Sequence, residues 1–127
     1  MAAVHSGWRG TQARIAVRAV ERMERGGARP ERLLAVIGPC IRACCYAVSE
    51  ELAATFERDF GGGVAVRGQG QPRLELVVAI ERTLRAAGVR EVERLAPCTH
   101  CDPDRFFSHR RDRGVTGRHL SFVACAF

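Results

Sequence analysis

With 127 residues, the chain is long enough for one domain that buries on the order of two-thirds of its unfolded surface. Its apolar content of 46% and charged content of 27% are ordinary for a globular protein, and no run of about 18 apolar residues indicates a membrane span. No basic N-terminal region leads into a long apolar stretch, so the sequence predicts a cytoplasmic protein with no secretory signal and no membrane partner.

The basic side chains argue against a nucleic-acid partner. The net charge of +6 arises from 20 basic residues, all of them arginine. Most of these arginines are spread along the predicted helices and interleaved with glutamate, and one dense cluster lies near the C-terminus. A surface that binds nucleic acid groups its cations with exposed aromatic side chains. We therefore expect no nucleic acid to bind.

The beginning of the chain predicts a functional side chain mounted at the end of a strand. Residues 1–5 are typical of a short strand that ends in His5, and a glycine-bracketed turn around Trp8 follows. Apolar side chains recur at three- and four-residue spacing over 11–25, which predicts an amphipathic helix. The free N–H groups of that helix would face the same way as the imidazole. The alternative for His5 is an ordinary hydrogen-bonded residue near the core.

The rest of the pattern predicts alternating strands and helices. Ser49, followed by two glutamates, predicts the N-cap of a helix that ends near Phe60. Another helix is predicted over 73–87. The predicted strands are 33–37, 64–66, 89–95, 106–110 and 120–127. This order predicts an α/β protein (α+β mixed), with mixed β-sheet layers flanked by about three helices in a single domain, 1–127.

The cysteines leave two interpretations open. Six cysteines in a cytoplasmic chain are more often reduced thiols or metal ligands than disulfides. Cys40, Cys44 and Cys45 in one segment, with Cys98 and Cys101 in another, can form two halves of a structural zinc site. More than fifty residues and two predicted helices separate the halves, which is unusual for a zinc ribbon. We therefore favour thiols packed beneath a loop, with structural zinc as the alternative.

Three segments of unusual composition carry a family resemblance: 4–11, 37–48 and 98–118. They contain Gly-Trp-Arg-Gly in the first, Gly-Pro-Cys and adjacent cysteines in the second, and Cys-Thr-His-Cys with Phe-Phe-Ser-His-Arg-Arg in the third. In this order and at these separations they closely resemble the multicopper polyphenol oxidoreductase (laccase-domain) family, over essentially the whole chain. Members of that family are also described as purine nucleoside phosphorylases, and some relatives as a peptidoglycan editing factor.

The resemblance implies a laccase-domain fold of which this chain is the C-terminal portion. It also implies a Zn²⁺ or Cu²⁺ ion held by two histidines and one cysteine, with His5 as one ligand. The family's other two ligands lie upstream, in segments that this chain does not contain. Because one neutral imidazole cannot hold zinc at useful affinity, we expect the chain alone to be inactive. We also expect apolar surface left uncovered to cause dimerisation or aggregation.

The same resemblance implies catalytic roles around the three segments. The candidate residues are Arg9, Ser108, Arg110, Arg111 and Arg118. Phosphorolysis needs a cationic cradle for phosphate, and a planar guanidinium offers phosphate two parallel hydrogen bonds. If the segment is extended, the two adjacent arginines face opposite sides, so at most one faces the site. The alternative is surface ion pairing with nearby aspartates, which contributes about 0–1 kcal/mol per pair.

The function implied by the resemblance is metal-dependent phosphorolysis of adenosine, inosine and methylthioadenosine, with a purine nucleoside and phosphate as partners. Adenosine deamination and polyphenol oxidation are further activities that the family implies. Three alternatives remain: an amidohydrolase that edits peptidoglycan precursors, a non-catalytic binding module that zinc stabilises through the cysteines, and an arginine-rich nucleic-acid binder, which would show steep salt dependence of binding.

Overall fold

The computed structural model describes residues 1–124. The helices are α1 (Trp8–Gln12), α2 (Ile15–Arg25), α3 (Glu50–Phe60) and α4 (Leu76–Ala86), with a 3₁₀ turn at Pro30–Arg32. The strands are β1 (Leu34–Ile37), β2 (Ala65–Val66), β3 (Arg73–Leu74) and β4 (Glu91–Arg94). Within residues 1–124, no helix is both long enough and apolar enough to cross a membrane.

Two small sheets organise the chain. Strands β1 and β4 pair in parallel, from Leu34 opposite Glu91 to Ile37 opposite Arg94, and α3 and α4 lie in the connection between them. Strands β2 and β3 form a short antiparallel pair. The α/β class is therefore confirmed, with predicted strands 33–37, 64–66 and 89–95 observed within a residue or two of their expected bounds.

Helix α4 lies at the centre of the core. Its side chain Ile80 packs against three groups of buried residues. One group contains Phe56 and Phe60 of α3, the second contains Val20 of α2, and the third contains Ile37 of β1. Phe56 is fully buried. These contacts hold the parallel strand pair against the helices, so the loops that follow β1 and β4 start from a packed frame.

The predicted N-cap of α3 and its predicted end near Phe60 are both confirmed. Ser49 is the N-cap, and its Oγ accepts a hydrogen bond from Leu52 N at 3.2 Å. At the other end, Arg82 Nη1 donates to the carbonyls of Phe60, at 2.8 Å, and Gly62, at 2.7 Å. A cation bound to carbonyls at a helix C-terminus also interacts favourably with the helix dipole.

The predictions for the first 25 residues are wrong in two places. Residues 1–5 do not form a strand, because no strand among residues 1–124 lies beside them to share backbone hydrogen bonds. The predicted single helix is two helices, since Arg14 adopts the left-handed conformation with φ of 56° between α1 and α2. Its guanidinium donates to Asp59 O at 2.7 Å and lies 4.2 Å from the centre of the Phe60 ring. A contact with α3, 45 residues away, therefore breaks the helix.

Three other predicted elements differ. The helix predicted from 73 begins at Leu76, because Arg73 and Leu74 pair with β2 instead. Residues 106–110 are not a strand, since backbone hydrogen bonds join this segment to Asp102 on one side and to Asp112 and Gly114 on the other. Residues 120–124 also lie in no strand, and the rest of the predicted 120–127 strand lies outside the described residues.

One face of the parallel pair is uncovered. Leu34 and Val36 are 57% and 52% exposed, whereas Ile37 on the opposite face is 8% exposed. The neighbouring outward residues on β4 are Glu91 and Glu93. Parallel strands in folded proteins are normally covered on both faces. The exposed β1 side chains therefore leave an apolar surface that a second copy of the chain can cover.

We predict that the purified chain self-associates through this face. A Leu34→Thr/Val36→Thr variant should weaken association at least about tenfold in sedimentation velocity, because each copy loses apolar area from the contact. The control is Val115→Thr, which changes a side chain that is 88% exposed and lies outside the sheet. A monomeric wild-type chain at all concentrations, or equal weakening by the control, would contradict the prediction.

Candidate functional site

The loops that follow β1 and β4 meet beyond the ends of the two strands. Cys40 and Cys98 form a parallel bridge that continues the strand pairing. Thr99 N donates to Cys40 O at 2.9 Å, and Cys40 N donates to Pro97 O at 3.3 Å. The carboxyl ends of parallel strands commonly carry binding and catalytic residues in α/β proteins. The side chains of both loops are therefore brought to one edge of the sheet.

Arg42 joins the two loops through its guanidinium. Its Nη1 donates to Ala96 O at 2.6 Å, and its Nε donates to Glu75 Oε1 at 2.8 Å. The hydrogen bond with Glu75 raises the pKa of Arg42, so this cation stays charged. Glu75 Oε2 also accepts a hydrogen bond from Ala43 N at 3.4 Å. Sequence reasoning missed this brace, because its partners are 33 and 54 residues away.

Arg9 and Arg110 converge on Tyr46. The Arg110 guanidinium carbon lies 5.2 Å from the centre of the Tyr46 ring, and Arg9 lies 4.6 Å from the centre of the Trp8 ring. Burial raises the pKa of Tyr46, and both arginines are near enough to oppose that rise. Arg110 Nη1 also donates to Ala47 O at 2.7 Å. We call Trp8, Arg9, Tyr46 and Arg110 the cationic rim.

The adjacent arginines at 110 and 111 diverge. Both arginines of the pair are in turns rather than in extended backbone. Arg111 points into the loops, where its Nη1 donates to Thr99 O at 3.0 Å and its Nη2 donates to Phe106 O at 2.8 Å. Its Nε donates to Asp112 Oδ1 at 2.8 Å. Arg111 is thus a brace between two loops, whereas Arg110 is on the exposed side of the segment.

Ser108 is a buried part of the same turn. Its exposed fraction is 5%. Its Oγ accepts a hydrogen bond from Arg111 N at 3.4 Å, and its backbone N–H donates to Asp112 Oδ2 at 3.2 Å. Thr116 Oγ1 donates to the same carboxylate oxygen at 2.8 Å. The hydrogen bonds that Asp112 accepts lower its pKa to about 2, and the bond from the Arg111 guanidinium contributes most. Asp112 therefore organises the turn that presents Arg110.

Arg118 lies in the last part of the chain that the structure describes. Its side chain is exposed, and it follows Gly117 in a stretch without helix or strand. A Cβ at Gly117 would lie only 2.6 Å from the Phe107 ring, so a side chain there would push the ring away. The Phe107 N–H donates to His119 Nε2 at 3.1 Å. These contacts position the segment that carries Arg118.

His5 is exposed in the irregular residues that precede α1. A Cβ at Gly7 would lie 3.2 Å from His5 Nε2, so glycine leaves room for the imidazole against the turn. His5 does not belong to any group of three or more metal-binding side chains among residues 1–124. Two surface concavities, lined in part by Val89 and by Met23, contain neither His5 nor the predicted arginines.

Four cysteines do form such a group. We call Cys44, Cys45, Cys98 and Cys101 the cysteine quartet, whose Sγ atoms all lie within 4.8 Å of one another. The Cys101 sulfur lies 3.5 Å from that of Cys44 and 3.4 Å from that of Cys45. All four are free thiols, two half-buried and two exposed. The two cysteine-bearing segments noted in the sequence therefore meet, although the favoured expectation was separate packed thiols.

The Cys98 sulfur lies in a nest of hydrogen-bond donors. Burial raises its pKa, but backbone N–H groups of Arg42, Cys101 and His100, with the Cys44 thiol, outweigh burial and lower the pKa to about 7. Burial raises the pKa of Cys44 to about 11. The quartet thus contains one sulfur, that of Cys98, whose thiolate form is stabilised by its neighbours. It lies beside thiols such as Cys44, whose raised pKa favours the protonated form.

Comparisons with known proteins agree with the resemblance. The family model described as multi-copper polyphenol oxidoreductase laccase matches residues 1–126. A protein named purine nucleoside phosphorylase from Deinococcus radiodurans is 41% identical over 122 residues, which are 95% of this chain and 47% of the relative. The crystal structure of YlmD from Geobacillus stearothermophilus is 36% identical with a TM-score of 0.81, over 90% of this chain and 45% of that one.

A second solved structure, Bacillus licheniformis hypothetical protein YfiH, is 36% identical with a TM-score of 0.79. The match covers 87% of this chain and 44% of that one. The chain therefore spans about half the length of the relatives it matches. These structures support the laccase-domain fold for the described residues.

We predict that Asp112 stabilises the 108–116 turn in its charged form. Because its pKa lies near 2, below the ordinary value of about 3.9, this stabilisation is complete above about pH 4 and is lost as the pH falls towards 2. The difference in melting temperature between wild type and Asp112→Asn should therefore be largest near neutral pH and shrink on acidification. The matched control is Asp104→Asn, an exposed carboxylate of the same loop region. A difference independent of pH would contradict the prediction.

Proposed function

Since this chain belongs to the multi-copper polyphenol oxidoreductase laccase family, we propose that it forms part of a purine nucleoside phosphorylase. The relatives that support the proposal carry that name in Deinococcus radiodurans, Geobacillus stearothermophilus and Bacillus subtilis. Because the chain spans about half of their length, we assign it only the portion of the site that its own residues form.

The cationic rim is the observation that carries this proposal. Two guanidinium groups, from Arg9 and Arg110, are next to the flat rings of Trp8 and Tyr46. A guanidinium has five N–H donors, and within residues 1–124 Arg110 donates a single hydrogen bond to protein, to Ala47 O. The remaining N–H donors of Arg110 can bind two phosphate oxygens through parallel hydrogen bonds. The half-buried Trp8 ring offers a surface for a planar base beside the bound anion, whereas Tyr46 is 7% exposed and supports the Arg110 guanidinium instead.

The reaction requires one bond to break and one to form. An oxygen of hydrogen phosphate attacks C1′ of the ribose, the bond from C1′ to the purine nitrogen breaks, and the purine nitrogen takes up the proton that the phosphate gives up. The products are a free purine and ribose 1-phosphate. In this proposal, Arg9 and Arg110 bind and orient the phosphate dianion, and Arg111 keeps the turn that presents Arg110 in place. Ser108 acts as a positioning residue through the same turn.

The residues of this chain do not by themselves fit the Zn²⁺ or Cu²⁺ site that the family implies. His5 is the one predicted ligand, and it belongs to no group of three or more metal-binding side chains among residues 1–124. Zinc needs at least three protein ligands in a catalytic site. We therefore propose that the chain alone does not turn over nucleosides, and we assign no step to the metal.

The finer parts of the proposal follow the family. We propose adenosine, inosine and methylthioadenosine as substrates, cleaved in the cytoplasm. We also propose Arg118 as a further arginine for the phosphate, since its exposed side chain lies in the segment that follows the turn. Adenosine deamination, polyphenol oxidation and hydrolysis of a peptidoglycan-precursor amide are the competing activities.

A chimera tests the proposal. Residues 1–127 replace the matching half of the Deinococcus radiodurans relative, and inosine cleavage is followed by release of hypoxanthine with and without phosphate. We expect phosphate-dependent release by the chimera and none by the isolated chain. Arg110→Gln should lower kcat/KM for phosphate about 10- to 100-fold, because it removes charge-assisted hydrogen bonds to the anion.

The matched control is Arg113→Gln, an exposed arginine in the same run of turns that makes none of the contacts of the cationic rim. It should leave kcat/KM for phosphate within about twofold of the parent. Equal losses in both variants, or base release that does not depend on phosphate, would refute the assignment of the cationic rim to phosphate. Release of an amide hydrolysis product from a peptidoglycan precursor would instead favour the amidohydrolase.

A further inference from the structure

The cysteine quartet draws its sulfurs from two loops that the parallel strand pair brings together. Cys44 and Cys45 lie in a turn after β1, and Cys98 and Cys101 lie in a turn after β4. The bridge between Cys40 and Cys98 aligns these turns. The four sulfurs therefore come together through backbone pairing, and their proximity does not depend on the rotamer of one long side chain.

The distances between the sulfurs match the size of a tetrahedral metal site. Four thiolates around zinc, with bonds of about 2.3 Å, lie about 3.8 Å from one another. Here two sulfur–sulfur distances are 3.4 and 3.5 Å, and all six lie within 4.8 Å. We propose that the quartet is a structural zinc site in which Cys44, Cys45, Cys98 and Cys101 supply all four ligands.

The surroundings of the quartet suit a bound dication with four thiolates. Such a centre has a net charge of roughly −2, which needs nearby donors and cations. Backbone N–H groups of His100 and Cys101 face the Cys98 sulfur, as does the backbone N–H of Arg42. The Arg42 guanidinium is close enough to interact with the Cys44 thiol. These groups supply hydrogen bonds and positive charge to the sulfurs.

The ligand set indicates a structural role rather than a catalytic one. Four protein ligands close a tetrahedral zinc site, whereas a catalytic zinc keeps a position open for water or substrate. This site is also separate from His5, which is not part of the quartet. Zinc here would link Cys44 and Cys45, which precede Tyr46, to the turn that contains Thr99. The carbonyl of Thr99 accepts a hydrogen bond from Arg111. Zinc would thus hold the loops beneath the cationic rim without touching a nucleoside.

Cys40 is a neighbouring cysteine outside the proposed ligand set. It lies in the same loop as Cys44 and Cys45, but it does not belong to the group of four. Burial raises its pKa to about 11, as expected for a thiol packed against apolar neighbours. Cys40 is therefore a matched control for removing a sulfur near the site without removing a ligand.

Metal analysis of the purified 127-residue chain tests the proposal. After expression with added zinc and purification under reducing conditions, we expect about one zinc per chain. Replacement by Co²⁺ should give thiolate-to-cobalt charge-transfer absorption and the strong visible bands of tetrahedral cobalt. A strong chelator should lower the melting temperature by at least about 10 °C, because zinc binding contributes to folding. A chain without metal or cobalt bands would overturn the proposal.

Single variants assign the ligands. Cys101→Ala should weaken zinc binding at least about 100-fold, whereas Cys40→Ala and His5→Ala should each retain one zinc. Loss of zinc in His5→Ala with retention in Cys101→Ala would overturn the proposal. So would a disulfide within the quartet in the reduced, zinc-supplemented protein, detected by mass spectrometry. None of these readouts depends on phosphorolysis, so the cationic rim and the cysteine quartet succeed or fail separately.

Discussion

The parallel pairing of β1 with β4 is the constraint on which the rest of the structure depends. Parallel strands need a long connection between them, and here α3 and α4 form it, with Val77 and Ile80 of α4 packed against Ile37 of β1. The same pairing makes the two strands end side by side. As a consequence, two loops that are more than fifty residues apart in sequence share hydrogen bonds at one edge.

Arginine performs two different tasks at this edge. Arg42 and Arg111 are half-buried and donate to backbone carbonyls of neighbouring loops, where a fork of N–H groups can satisfy several acceptors at once. Arg9 and Arg110 are exposed and stand beside aromatic rings. The arginines of this chain therefore do not form a single charged surface. The bracing cations organise loops, and the exposed cations are available to an anionic ligand.

The two candidate centres differ in how complete they are within this chain. The cysteine quartet has all four of its sulfurs among the described residues, whereas His5 belongs to no group of three or more metal-binding side chains within residues 1–124. The cationic rim combines residues from the first segment, the loop after β1 and the turn around Ser108. This difference explains why a metal site can be tested on the chain itself, while phosphorolysis is tested in a protein of the relatives' full length.

The sequence alone determined the features that depend on near neighbours. Ser49 caps α3 through a residue three positions on, and the apolar run of β1 ends at Gly38 and Pro39. The motif order also identified the family, because motifs are local patterns. Only the tertiary structure decided the break at Arg14, the divergence of Arg110 from Arg111, and the meeting of the cysteines. Each of these depends on a backbone or side-chain partner far along the chain, and local propensity carries no information about such a partner.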